Sequence, residues 1–242
     1  KNKQPNFLLF GDSHALSMMH LFHKLGSQRN INGGFLFQPG CPPILGGSYQ
    51  LGVKEVKKCR EMNRLVQNFV VQHDSITTLF LVARWEIYLN ENFPKGPLLM
   101  RNSSSVDALQ RRKENLKNRI IHTVREFQNL GKKVVIVLQV PDQRRNPLKS
   151  YRPKSTDQSI RDDSILKAKH LELQKSANDM MREIADGRGI DVVDPTGIMC
   201  SSRCLIGNKA EIYYYDSNHL SITGASLMEP AFSTYFGAVP DN

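Results

Sequence analysis

Apolar residues along the chain fall into two kinds of segment. The first kind is a short apolar run with no polar alternation: Phe7-Leu8-Leu9-Phe10, Gly34-Phe35-Leu36-Phe37, residues 76–82, residues 134–138, and Ile190-Asp191-Val192-Val193, which ends at Asp194-Pro195. Such runs read as strands buried on both faces, the pattern of a parallel sheet. The sharpest is 134–138, framed by Gly131-Lys132-Lys133 and Pro141. In the second kind, apolar residues recur at helical spacing. Residues 14–28 follow the first strand. Residues 57–72 carry Met62, Leu65, Val66, Phe69 and Val70. Residues 105–130 carry Leu109, Leu116, Ile120, Ile121, Val124 and Phe127, and 161–186 carry Ile165, Leu166, Leu173, Met180, Met181 and Ile184. A last helix is expected over 222–236. Alternation of the two kinds predicts an α/β fold, a three-layer α/β/α sandwich with a central parallel sheet.

Three stretches break this rhythm: 38–56, rich in Gly and Pro; 86–104, with Asn90, Asn92, Pro94, Gly96 and Pro97; and 141–160, with Arg144, Arg145, Lys149, Arg152 and Lys154. Each follows a strand. Ligand sites of open parallel sheets form outside the carboxyl ends of the strands, so all three are expected to border one cleft.

A chain of 242 residues suits a single sizeable domain, 1–242. No run approaches the length of a membrane span. The opening Lys1-Asn2-Lys3-Gln4-Pro5-Asn6 has no secretory pattern and reads as a cut from a longer chain. Lys and Arg outnumber Asp and Glu 33 to 23, a net charge of +10, which points to an anionic partner or surface. The basic residues are scattered, without the interleaved aromatics of a single-strand platform, so nucleic acid is not the expected partner. Four cysteines fall into two candidate pairs, Cys41 with Cys59 and Cys200 with Cys204. Two disulfides in an oxidising compartment are expected. A zinc site fits the spacing poorly and no His adjoins them in sequence, so no metal is expected; four free thiols are the other alternative.

The candidate chemistry sits near the two ends. Gly11-Asp12-Ser13-His14 leaves the first strand and opens a helix. A serine there has backbone N–H groups and a helix dipole beside it, which favour the oxyanion of acyl transfer, provided that a base takes its proton. The rival reading is an ordinary helix cap by Asp12 or Ser13. Gly11 is expected to supply a tight turn. Near the other end, "YYYDSNHLSITGA" sets Asp216 three residues before His219, close enough for Asp216 to hold Nδ1 while Nε2 faces Ser13. The rival there is a turn shaped by Asp216 and Asn218, with Ser221 or Thr223 capping the last helix. That rival leaves His219 without a reason.

Gly11-Asp12-Ser13 and Asp216-x-x-His219 together resemble the first and last blocks of the SGNH (GDSL-like) hydrolase superfamily. "GDSHALSM" and "DSNHLSITGA" are more specifically similar to SGNH domains fused behind acyltransferase-3 membrane domains, proteins that O-acylate bacterial glycans such as lipopolysaccharide O-antigen. The "GCPPI" segment and Arg84-Trp85 after the third strand add to the resemblance, which spans the chain in dispersed blocks. It implies Ser13 as nucleophile, His219 as base and Asp216 as its orienting acid. It implies oxyanion donors at the Ser13 backbone and at a glycine after the second strand, here Gly40, with Gly33 and Gly34 as rivals. The family's third block, Gly-x-Asn-Asp, is absent: this strand ends Val82-Ala83-Arg84-Trp85, so Arg84 or a backbone group would take the place of the Asn. Loss of one such donor costs about 100- to 1000-fold in rate.

Trp85 is either a wall for sugar or acyl group or a core residue, and Arg84 is alternatively an ion-pair partner. His20 and His23 read as solvated helix positions, and His14 is left without a role. The resemblance further implies an O-acetyltransferase in the periplasm, part of an inner-membrane protein. The acetyl donor, ultimately acetyl-CoA, is handled by the fused membrane domain, with no cofactor bound here, and the acceptor is a glycan. A carbohydrate esterase with the same triad and a non-catalytic glycan-binding module are the alternatives.

Overall fold

A computed structural model describes residues 4–46, 53–89, 106–151 and 156–237. In chain order it holds strand β1 (Pro5–Gly11), helix α1 (Ser13–Gln28), β2 (Asn32–Phe37), α2 (Val53–Gln72), β3 (Thr78–Val82), a 3-10 turn (Trp85–Tyr88), α3 (Val106–Asn129) and β4 (Lys133–Val137). Then follow α4 (Pro147–Ser150), α5 (Asp157–Asp163), β5 (Ile165–Leu166), α6 (Lys167–Asp186), β6 (Asp191–Val193), α7 (Thr196–Met199) and β7 (Arg203–Cys204). The described chain closes with α8 (Ile222–Ser226), α9 (Glu229–Phe232) and a second 3-10 turn (Ser233–Phe236).

Five strands form one parallel sheet in the order β2-β1-β3-β4-β6. The five apolar runs are these five strands. Because successive side chains of a strand point to opposite faces, Leu8 and Phe10 of β1 enter one core and Phe7 and Leu9 the other. The first core is closed by Met62, Val66 and Val70 of α2, Leu116, Ile120, Val124 and Phe127 of α3, and Met180, Met181 and Ile184 of α6. The second is closed by α1 and the carboxyl-terminal segments. Phe22 there meets Phe80, Phe232 and Phe236 at ring-centroid distances of 4.8, 4.8 and 5.8 Å. Helices cover both faces, so the expected three layers are present.

Two expected helices are interrupted. The run over 161–186 breaks at Ser164, whose hydroxyl bonds the Ile160 carbonyl and receives the Ile206 N–H. After it β5 pairs antiparallel with β7, a small second sheet that the apolar pattern did not signal. Its Leu166 is exposed, as is Leu65 of α2. The stretch 222–236 is three short pieces, since Pro230 has no N–H to continue α8 and instead sits in the first turn of α9. Two disulfides, Cys41–Cys59 and Cys200–Cys204, tie the loop after β2 to α2 and close the loop before β7. The Leu109 side chain, residues 90–105 with Asn90 to Pro97, and Arg152 and Lys154 lie outside the described residues.

Candidate active site

Ser13 is the first residue of α1, separated from β1 by Asp12 alone. The crossover is built by Gly11 and Asp12. Gly11 pairs with Val82 of β3, and a Cβ on it would lie 1.8 Å from the Val82 carbonyl oxygen. The glycine is therefore required for space, not for the backbone freedom that a tight turn would need. Asp12 caps α1. Its Oδ1 accepts the His14 N–H at 2.8 Å, and its Oδ2 accepts the Arg84 N–H at 2.9 Å and the Tyr88 hydroxyl at 2.8 Å. Asp12 is buried, and burial pushes its carboxyl up despite these three donors. Both oxygens are thus committed to fastening the β1–α1 turn to the end of β3.

The other half arrives on the turn before α8. Asp216 Oδ1 accepts the Asn218 and His219 N–H groups at 2.9 and 2.8 Å. Its Oδ2 lies 2.7 Å from His219 Nδ1, and His219 Nε2 lies 2.7 Å from Ser13 Oγ. Neutral His219 then donates from Nδ1 to Asp216 and accepts the Ser13 hydroxyl at Nε2. Partial burial works against the Asp216 charge, but the backbone donors and the His219 ring outweigh it and hold its carboxyl below the usual range. Ser13, Asp216 and His219 are all half-buried, so the cluster is open to a ligand. The cap reading holds as well, without competing. Ser221, not Thr223, caps α8 by accepting the Gly224 N–H at 3.1 Å.

The candidate oxyanion donors separate. Ser13 N–H opens α1, and Gly40 (φ 74°) lies in the loop after β2, on the same sheet edge, where Gln38 N–H bonds the Gly11 carbonyl. Neither the Ser13 nor the Gly40 N–H has a hydrogen-bond partner among the described residues. Gly33 and Gly34 lie near the amino half of β2, away from this edge. Added Cβ atoms there would strike Phe7 and Phe69, so they are packing glycines. For Arg84 the ion-pair alternative holds. Its N–H goes to Asp12 and its guanidinium forms a largely buried ion pair with Asp142, so it braces the site from below. Trp85 is 0% exposed, and its indole N–H donates to the Val137 carbonyl at 2.8 Å. It is a core residue and offers no face to a sugar.

Three residues carry contacts that the sequence did not signal. His14 is buried, with Nε2 3.0 Å from Asn218 Oδ1. Gln143 donates its N–H to the Ser217 carbonyl at 2.7 Å and its side-chain amide to the Cys204 carbonyl at 2.8 Å, joining the Asp216–His219 turn to the disulfide loop. His170, remote in sequence, comes within reach of Cys200 and Cys204, with its ring nitrogen and their sulfurs all within 4.8 Å of one another. The two sulfurs are bonded to each other, so they are not thiolate ligands. His20 and His23 are exposed on α1.

A five-stranded parallel sheet between helices, with Ser, His and Asp at its carboxyl edge, is the architecture of the SGNH hydrolase fold. Residues 1–234 match the family model described as SGNH domain (fused to AT3 domains), and the chain belongs to that family. Similar solved structures include the periplasmic domain of a lipopolysaccharide acetyltransferase from Salmonella ser. Paratyphi A. That domain is 14% identical, with 97% of this chain and 84% of that one covered and a TM-score of 0.66. A putative acylhydrolase from Bacteroides fragilis is 13% identical over 98% of this chain and 88% of that one, TM-score 0.52. An acetyl xylan esterase is 12% identical over 95% and 98%, TM-score 0.53. No curated protein sequence matches the chain. No helix among the described residues is long and apolar enough to cross a membrane.

Proposed function

We propose that this chain is an O-acetyltransferase domain that moves an acetyl group onto a hydroxyl of a bacterial surface glycan through an acyl-enzyme on Ser13. The observation that carries the reading is the unbroken chain Asp216 Oδ2–His219–Ser13 Oγ, with both contacts at 2.7 Å, on an open sheet edge. The Ser13 oxygen attacks the acetyl carbonyl and its proton passes to His219 Nε2. The tetrahedral oxyanion rests against the Ser13 and Gly40 N–H groups, and the leaving group departs with the proton from His219. The glycan hydroxyl then attacks the acetyl ester. His219 takes its proton and returns it to Ser13 as the acetylated glycan leaves. Asp216 orients the imidazole and stabilises its charged form.

Membership in a family of domains fused to AT3 domains supports a donor relayed by an acyltransferase-3 membrane domain, with acetyl-CoA as the ultimate source and no cofactor held here. It supports a periplasmic location as part of an inner-membrane protein, where two disulfides are chemically at home. The test is turnover of p-nitrophenyl acetate by wild type and Ser13→Ala, with and without a polysaccharide acceptor. Slow turnover that acceptor accelerates and Ser13→Ala abolishes is expected. Fast turnover indifferent to acceptor identifies an esterase instead, and none in either protein identifies a binding module.

A further inference from the structure

The nucleophile and its base are brought together by two parallel contacts. Ser13 meets His219, and the next residue along α1, His14, meets Asn218, the previous residue of the turn. We infer that His14 is a positioning residue: its Nε2–H, bonded to Asn218 Oδ1, locks the Asp216–His219 turn onto the start of α1 and so sets the aim of His219 at Ser13. The inference rests on the triad reading and extends it to a residue outside the triad.

The bonding closes a ring. His14 is covalently next to Ser13. Asn218, held by His14, gives its N–H to Asp216 Oδ1, whose Oδ2 holds His219, which meets Ser13. Asn218 is itself fixed, since its side-chain N–H donates to Ser217 Oγ at 3.0 Å, which leaves Oδ1 to face His14. Gln143 holds the turn from the loop after β4 through the Ser217 carbonyl, and the Asn218 contact adds a direct tie to α1 beside the Ser13–His219 pair, fixing the turn against the helix that carries Ser13. A displacement of about 1 Å in a catalytic pair costs on the order of 100-fold in rate.

His14 suits this role and not that of a second base. It is buried, with its ring 5.0 Å from that of His219. Burial first, then repulsion by His219 and Arg84, lowers its pKa to about 3 against the opposing pull of the Asn218 bond and of Asp142. It therefore stays neutral, with a proton to donate, wherever His219 works as a base. The carboxylate of Asp12, one residue before Ser13, holds the His14 backbone N–H and not its ring.

The test measures how fast a fluorophosphonate labels Ser13 in wild type, His14→Phe, His14→Gln and Asn218→Ala, with the maximal inactivation rate separated from probe affinity and folding followed by thermal melting. The expected result is a maximal rate at least about tenfold lower in His14→Phe and Asn218→Ala with probe affinity unchanged. Gln, which also offers an N–H, restores it. If His14→Phe fails to fold, Asn218→Ala removes the same bond from its acceptor side. Wild-type rates in folded His14→Phe or Asn218→Ala overturn the inference, and so does a His14→Gln protein as slow as His14→Phe. Absence of labelling in wild type overturns the triad reading beneath it.

Discussion

Asp12 and Asp216 use one local device for two ends. Each carboxylate accepts the N–H two residues on with its Oδ1, His14 for Asp12 and Asn218 for Asp216. What the second oxygen meets separates them. Asp12 Oδ2 meets the Arg84 N–H and the Tyr88 hydroxyl inside the protein, where burial raises the carboxyl pKa. Asp216 Oδ2 meets an imidazole at the surface and its pKa is lowered. The first is an anchor that holds Ser13 at the end of β1, and the second is placed against His219 as the orienting acid of the proposed triad. Residue type and the contact to the N–H two residues on are shared, and the partner of the second oxygen separates the two.

The comparison predicts opposite responses to substitution. Asp216→Asn should keep its melting temperature and lose on the order of 10³- to 10⁴-fold of Ser13 reactivity, because a neutral amide no longer fixes the tautomer of His219. Activity in Asp216→Asn near the wild-type level would erase the distinction. Asp12→Ala strands a buried N–H and hydroxyl and removes a helix cap, so it should cost about 3–5 kcal/mol in denaturant unfolding. Trp85→Ala should cost a similar 3–5 kcal/mol by leaving a cavity in the core. Glycan binding impaired in a folded Trp85→Phe protein would reinstate the surface reading.

A smaller effect concerns His14. Its folded pKa of about 3 lies below the ordinary 6.5, so between those values the unfolded chain binds a proton that the folded chain does not. Stability from this group is complete above pH 6.5 and is lost as pH falls, by about 1.4 kcal/mol per unit. Asp12, with its raised pKa, works in the opposite sense but is present in wild type and His14→Gln alike. The difference between their unfolding free energies, measured from pH 7 to 4, should shrink in favour of His14→Gln as pH falls. The smallest effect is expected at Tyr215, 71% exposed beside Asp216. Its change to Ala should alter stability by less than about 0.5 kcal/mol, in contrast to its buried neighbour Tyr214.

What the sequence made legible follows from the range of the interactions. The five sheet strands are unbroken apolar runs, because both faces of a parallel sheet are covered, and each run is local information. The serine and the Asp-x-x-His pair were legible for the same reason, as each is a short motif. The contact between them, across 206 residues, was suggested by the pairing of the two motifs, strengthened by the family resemblance, and brought about by the sheet edge. The two-residue strands β5 and β7 have no periodicity to read; they exist because Ser164 breaks a helix and Arg203–Cys204 offers an edge. For Trp85 and Arg84 the sequence left a ligand role and a structural role both open, because exposure is not a local property. Both follow a strand at the carboxyl edge, but the 3-10 turn folds the indole inward and Asp142 takes the guanidinium. Asn218 carried no signal beyond its place in the turn, and its partner His14 lies 204 positions away.

The central claim is that Ser13 carries the acyl group. Brief reaction with p-nitrophenyl acetate, an acid quench and peptide mass analysis test it directly. The expected result is one added acetyl group on the peptide containing Ser13, absent in His219→Ala and removed when a glycan acceptor is supplied. An acetyl group found elsewhere, or on Ser13 to the same extent in His219→Ala, would contradict it.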